Sequence, residues 1–359
     1  MDAASHFAPS YAQARQMFLA AADAAGLDVE SHPHPMLGRD GEALAMDVVR
    51  EGARDAKSLL IVSSACHGIE GFCGSGVQHA LLGDPDWHRL LRKSGVAALY
   101  VHALNPYGFS WWRRTTHENV DLNRNFHDFS QPLPANPAYD EIATLLVPPT
   151  WPPSAEVNAA LQRYVATHGL QALQQAVTSG QHAHPQGLFY GGHNPTWSQV
   201  TLRHVLQDHA TRCERLAWID LHTGLGPSGV GERIFACRDD AAALARARAW
   251  WGSGVTSIYD GSSASARLTG MMWMAVYEEC PQAEYTGIAM EYGTVPIPEV
   301  VEALRADQWL ENHPEADEAQ ARAIKQRMRE AFYTDTEAWK QAVLAQAFDA
   351  ARQAVAGLG

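Results

Sequence analysis

Six short runs, at 44–49, 59–64, 97–103, 216–221, 233–237 and 287–291, alternate along the chain with stretches of helical character. Runs this short, rich in Val, Ile, Leu, Ala and Tyr and bounded by small or turn-forming residues, read as strands. Strands interleaved with helices can bury their apolar faces only by layering, so the expected class is α/β. Ser10 and Gln13 form a capping-box pattern ahead of Met17, Phe18 and Leu19, and Gly26 follows, which predicts a leading helix over 10–25. Seven prolines between Pro132 and Pro153 cannot sit in central strands or helix interiors and mark a surface excursion at about 130–153. Residues 154–179 read as helix, and the Ala-, Glu-, Gln- and Arg-rich stretch at about 314–356 reads as a helical segment covering the sheet.

Charge and cysteine usage narrow the function classes. The chain has 359 residues and a formal charge of −13, a balance that disfavours nucleic acid or an anionic membrane surface as partner. Its five cysteines are odd in number and lack a Cys-x-x-Cys pair, so neither a disulfide framework nor a thiolate metal site is expected. The N-terminus lacks the basic and apolar segments of a secretory signal, and no apolar run reaches spanning length. The expectation is a cytoplasmic protein acting on a small or neutral partner; oligomeric state is not legible.

Four strand ends carry the chemistry. The first gives Cys66-His67-Gly68-Ile69-Glu70, the second Asn105-Pro106-Tyr107-Gly108 through Arg113-Arg114 and Asp121-Leu122-Asn123-Arg124-Asn125, the third Asp220-Leu221-His222-Thr223-Gly224, the fourth Glu291-Tyr292-Gly293. Ligands of open α/β sheets gather beyond the carboxyl ends of strands. Two imidazoles and one carboxylate, from His67, Glu70 and His222, leave a coordination position open on tetrahedral zinc, the ligand count a hydrolytic site requires. Glu291 is the free carboxylate available as general base. The arginines clustered in the second stretch suit an anionic group, because a guanidinium fork matches a carboxylate.

Taken in order, His67-Gly-Ile-Glu70, Asp121-Leu-Asn123-Arg124-Asn125-Phe126, His222 and Glu291 resemble the zinc carboxypeptidase (M14-like) superfamily. The Asn-Pro-Tyr-Gly-Phe and Asp-Leu-Asn-Arg-Asn-Phe wording is similar to the DUF2817 family, related to the succinylglutamate desuccinylase and aspartoacylase group. The resemblance spans roughly 40–295. It implies one domain over 1–359 with a three-layer fold, a mixed twisted sheet between helices. It further implies one zinc per chain, a substrate carboxylate held by Asn123 and Arg124, and a scissile carbonyl polarised by Arg113 or Arg114, between which the sequence does not choose. Asp121 matches the aspartate behind the first zinc histidine, where it would fix the tautomer of His67. The activity implied is hydrolysis of an amide bond next to a carboxylate, on peptides; the alternative is deacylation of N-acyl amino acids, and a second is a catalytically inactive zinc-binding module.

Two other readings compete. Gly224-Leu-Gly-Pro-Ser-Gly229 matches the dinucleotide fingerprint, but Pro227 and an imminent strand deny it the helix that fingerprint must open. A cysteine hydrolase built on Cys66 beside His67 is disfavoured, because neighbours on a turn seldom converge. The glycine- and aromatic-rich stretch at 187–197 either lines a pocket or fills a surface cleft.

Overall fold

The computed structural model describes residues 3–359. Seven strands form one mixed sheet: β1 (Val29–Leu37), β2 (Ala43–Glu51), β3 (Ser58–Ser63), β4 (Ala97–His102), β5 (Arg215–Ser228), β6 (Gly231–Phe235) and β7 (Glu284–Gly293), in the spatial order β1-β2-β4-β3-β5-β7-β6. The inner strands β4, β3, β5 and β7 are mutually parallel, whereas β2 and β6 run antiparallel to their inner neighbours. Every residue of β3 and β4 is buried, which explains why these strands read as continuous apolar runs instead of alternating ones. Helices flank the sheet, and the C-terminal helix Glu337–Leu358 packs along β3 and β5 against helices Gly71–Leu82 and Ala241–Trp251.

The six expected strands are all present, and the sheet has a seventh, β1. Strand β1 contains Pro33 and Pro35 and lies at the sheet edge, where a residue without an N–H costs no ladder hydrogen bond. The leading helix spans Tyr11–Ala24, with the Ser10 hydroxyl accepting from Gln13 N and Gly26 left-handed at φ +68°. The proline-rich excursion contains a helix after all, Pro137–Leu146. Its proline takes the first helical position, where the missing N–H has no partner to lose, and Asn136 caps it. The helical stretch that follows is divided at Gly169 into Ala155–His168 and Leu170–Thr178, and the C-terminal one is broken between Phe332 and Glu337. The glycine run after His222 continues β5 to Ser228, so no helix opens there and the dinucleotide reading has no footing. All five cysteines are buried and free; Cys66 Sγ lies within 4.8 Å of ligand atoms of Asp220 and His222, but burial and the surrounding carboxylates push its thiol well above its ordinary range, which weighs against a thiolate nucleophile. Among the described residues no helix is long and apolar enough to cross a membrane.

Two turns meet where the parallel strands end. Beyond β3, Gly68 N and Ile69 N donate to the carbonyls of Arg114 and Arg113, at 3.1 and 2.8 Å, stitching the His67 turn to the arginine segment that follows β4. Only a glycine fits at 68, since a Cβ there would overlap the backbone of Gly108 and Phe109. Gly68→Ala is therefore expected to destabilise the fold by about 1–3 kcal/mol through overpacking and to loosen the turn that carries His67 and Glu70. Urea denaturation that leaves the midpoint unchanged would contradict this packing.

Candidate active site

Parallel pairing sets the site's dimensions. In the ladder Ser63 pairs with Asp220, and His222 pairs with Glu291, so the chemistry of three strands ends at one level of the sheet. His67 and Glu70 come from the turn and 3-10 helix Gly68–Glu70 after β3, with Ala65 held left-handed at φ +56° to turn the chain. A non-glycine residue in that region stores strain, which clusters at functional sites. Ala103, Trp112, Asn119 and Phe189, also left-handed, lie in the segments around the same pocket.

Glu70 bridges the two imidazoles. Its Oε1 lies 2.9 Å from His67 Nδ1 and its Oε2 lies 2.9 Å from His222 Nδ1, while Thr223 N donates to Oε2 at 3.3 Å. The three side chains are buried, and their ligand atoms lie within 4.8 Å of one another. Each imidazole turns Nε2 toward an aspartate: His67 to Asp121 Oδ1 at 3.2 Å, and His222 to Asp220 Oδ2 at 2.5 Å. Asp220 was not singled out from the sequence, although the signal exists, since positions 220 and 222 of a strand share a face. A chain of donors holds it, from Trp218 Nε1 to Ser63 Oγ at 2.7 Å and from Ser63 Oγ to Asp220 Oδ1 at 2.6 Å.

The structure separates the arginine pair. Arg114 Nε donates to Asp121 Oδ2 at 2.9 Å, its Nη1 lies 3.4 Å from Glu70 Oε1, and its Nη2 lies 2.7 Å from His67 Nε2. Arg113 does not line this pocket; it is buried against Asp307, Glu311 and Asn119, where it anchors the segment to helix Ile297–Asn312. Asn123 and Arg124, on the short 3-10 turn Leu122–Arg124, do line it. Arg124 gives Nε and Nη2 to Thr178 O and Nη1 to Asn123 O, which occupies one N–H of each Nη. The 187–197 stretch lines the pocket through Phe189, whose ring lies under both Arg114 and Arg124, and Asn125 ties its backbone at Gly191 and Asn194.

Electrostatics tests whether a divalent metal suits these residues. Four buried carboxylates, Glu70, Asp121, Asp220 and Glu291, are faced by two guanidiniums, Arg114 and Arg124, a surplus of two negative charges. Protons meet that surplus in the metal-free protein. Burial opposes charge on His222, but Asp220 and Glu70 outweigh it and hold the imidazole well above its ordinary value. Burial, reinforced by Glu70, pushes Glu291 up to about 8. Against its own burial, the two histidines draw Glu70 down to about 2. A divalent cation at Nδ1, Nδ1 and a Glu70 oxygen supplies the same two charges, and the nitrogen–nitrogen–carboxylate set suits zinc. It would also select a tautomer: with Nδ1 on a metal, His67 would carry its proton on Nε2 and donate to Asp121, and Arg114 Nη2, whose 2.7 Å contact suits an unprotonated Nε2, would have to turn away.

The geometry sits on a carboxypeptidase-like α/β fold, shared with bovine thrombin-activatable fibrinolysis inhibitor solved with tick carboxypeptidase inhibitor (11% identity, 98% of this chain and 97% of that one, TM-score 0.51). Also similar are a metallo-carboxypeptidase from Burkholderia cenocepacia (10% identity, 96% and 68% covered, TM-score 0.43) and a succinylglutamate desuccinylase/aspartoacylase family protein from Shewanella amazonensis SB2B (16%, 80% and 73%, 0.36). No curated protein matches the sequence. Residues 7–346 match the family described as "Protein of unknown function (DUF2817)", and the chain belongs to that family.

Two outcomes follow from the charge balance. Zinc added to chelator-treated protein should compete with protons held by His222 and Glu291, so that uptake releases protons and affinity rises as pH is raised through about 8. Calorimetry in buffers of different ionisation enthalpy reads this directly, and uptake without proton release would refute the balance. Asp121→Ala and Asp220→Ala should each weaken the metal about 10–100-fold, as expected for loss of the acceptor that orients a ligating histidine; a competitive chelator titration at wild-type affinity would remove that role.

Proposed function

We propose that the protein is a zinc-dependent hydrolase that cleaves an amide bond next to a carboxylate, a metallocarboxypeptidase-like reaction. The observation that carries this reading is the buried His67, Glu70 and His222 set with Glu291 paired in register beside His222 at the same cavity. His67 Nδ1, His222 Nδ1 and Glu70 would hold the ion, one per chain. Zinc bound there supplies a Lewis acid for the carbonyl and lowers the pKa of water toward ~7.

The chain's own groups do the rest. Leu225 N donates to Glu291 Oε1 at 3.0 Å, which orients the carboxylate and leaves Oε2 to take a proton from the attacking water. Loss of the site's surplus negative charge to a cation favours the ionised, basic form of Glu291. The same carboxyl then gives the proton to the leaving nitrogen. The C–N bond breaks, a C–O bond forms, and the products are a carboxylate and an amine. Arg114 lies on the same wall and donates to the carbonyl oxygen as its charge grows. Asn123 and Arg124 receive the substrate carboxylate.

Glu291→Gln keeps the side chain's size and removes the base. The expected result is a loss of at least about 100-fold in kcat with zinc content and KM close to wild type. Elemental analysis and steady-state kinetics on the same preparation check it: unchanged kcat would exclude Glu291 from proton transfer, and lost zinc would make it a ligand.

A further inference from the structure

The polar cluster occupies only part of a cavity of about 790 Å³. The remaining wall is dominated by apolar side chains, among them Trp151, Leu161, Leu173, Val177, Val301 and Leu304. They come from the proline-rich excursion, from helices Ala155–His168 and Leu170–Thr178, and from helix Ile297–Asn312. Of the charged groups on this part of the wall, Arg305 is spent on the carbonyls of Leu145 and Leu146, and Glu302 is a solvent-exposed side chain 3.9 Å from Arg327. Helix Ala155–His168 has no fully buried residue yet turns Leu161 into the cavity, so it covers the space without belonging to the core.

The rim points the same way. Leu170 and Ile297, each on the cavity wall, are 69% and 46% exposed, and both rank among the few large apolar side chains the fold leaves to water. An apolar wall of this extent, continuous with a polar reacting centre, suits a ligand that is polar at one end and hydrocarbon at the other. A peptide threaded along it would bring an N–H and a C=O with every residue, and this part of the wall offers few side-chain partners for them, chiefly Asn158, Gln174 and Ser265. A hydrocarbon chain brings neither.

We propose that the substrates are N-acyl amino acids with a long aliphatic acyl chain, the carboxylate meeting Asn123 and Arg124 and the chain filling the apolar part of the cavity. This rests on the amide-hydrolase reading. Water adds to the acyl carbon as the C–N bond breaks and its proton passes to nitrogen, giving a fatty carboxylate and a free amino acid with no other co-reactant.

The test uses the zinc-loaded protein with acetyl-, hexanoyl- and dodecanoyl-glycine, and with glycine-terminated tripeptides of polar and of apolar residues. Binding is measured separately, by calorimetry, on Glu291→Gln and on chelator-treated wild type. KM for the acylglycines should fall about fourfold per added methylene until the cavity is full, the fold-change that corresponds to about 0.8 kcal/mol per buried methylene. Calorimetric affinity should rise in step. Leu161→Trp, which fills part of the space from a half-buried position, should move the optimum to shorter chains. Chain-dependent binding without turnover would uphold the cavity's assignment and overturn the hydrolase reading. Turnover of acetyl-glycine or of tripeptides with no gain from chain length would overturn the assignment and leave the hydrolase reading standing. Absence of both binding and turnover would refute both.

Discussion

Glu70 is the group on which the rest of the centre depends. A carboxylate buried at that depth is unstable unless each oxygen has a partner, and both are spent on imidazoles brought from different strands. That bridge dictates how the histidines face. With both Nδ1 atoms turned inward, both Nε2 atoms turn out toward Asp121 and Asp220, whose negative charge then needs its own compensation. Arg114 and Arg124 hold Asp121 well below the usual carboxylate range although burial opposes this, while Ser63 and Trp218 serve Asp220 without adding charge. Four carboxylates against two guanidiniums leave two negative charges for protons or a cation to meet.

The backbone around it is organised to keep these side chains from relaxing. Left-handed non-glycine residues stand in the turns at Ala65, Ala103, Trp112, Asn119 and Phe189, each a conformation that the surroundings must impose. The His67 turn is hydrogen-bonded to the arginine segment, that segment is anchored through Arg113 to Asp307 and Glu311, and Asp307 also takes Lys325. Arg113 therefore acts at a distance from the pocket: it ties the site to the helix whose Val301 and Leu304 wall the cavity. A rigid polar end and a cavity roofed by a helix with no buried residue divide the labour, since precision is needed where charge moves and accommodation where a substrate's bulk is received.

His67, Glu70, His222 and Glu291 are legible as candidates in the sequence because each stands at the end of an apolar run, and an α/β sheet gathers such positions at one edge. Asp121, Asn123 and Arg124 lie well beyond the end of β4 and take their expected roles from the resemblance of the Asp-Leu-Asn-Arg-Asn-Phe stretch alone, whereas six of seven strands are legible from their apolar length. Strand β1 escaped because its prolines disqualify it everywhere except an edge, and edge position is a property of the assembled sheet. The helix Pro137–Leu146 escaped because the same proline that ends a helix interior is suited to a first turn, and only its capping by Asn136 decides between them.

What only the tertiary structure decided is which neighbour faces which. Arg113 and Arg114 are adjacent in the chain, and nothing in their order says that one would be sealed against Asp307 and the other would reach Asp121; the left-handed Trp112 and the bonds from Gly68 and Ile69 make that choice. The register that sets His222 against Glu291 arises from ladder hydrogen bonds between strands more than sixty residues apart. The cavity wall likewise draws on segments distant in sequence, so its size and apolar character had no local signature. Sequence determined the donors, because chemistry resides in single side chains; structure determined their partners, because charge compensation and enclosed space exist only between elements.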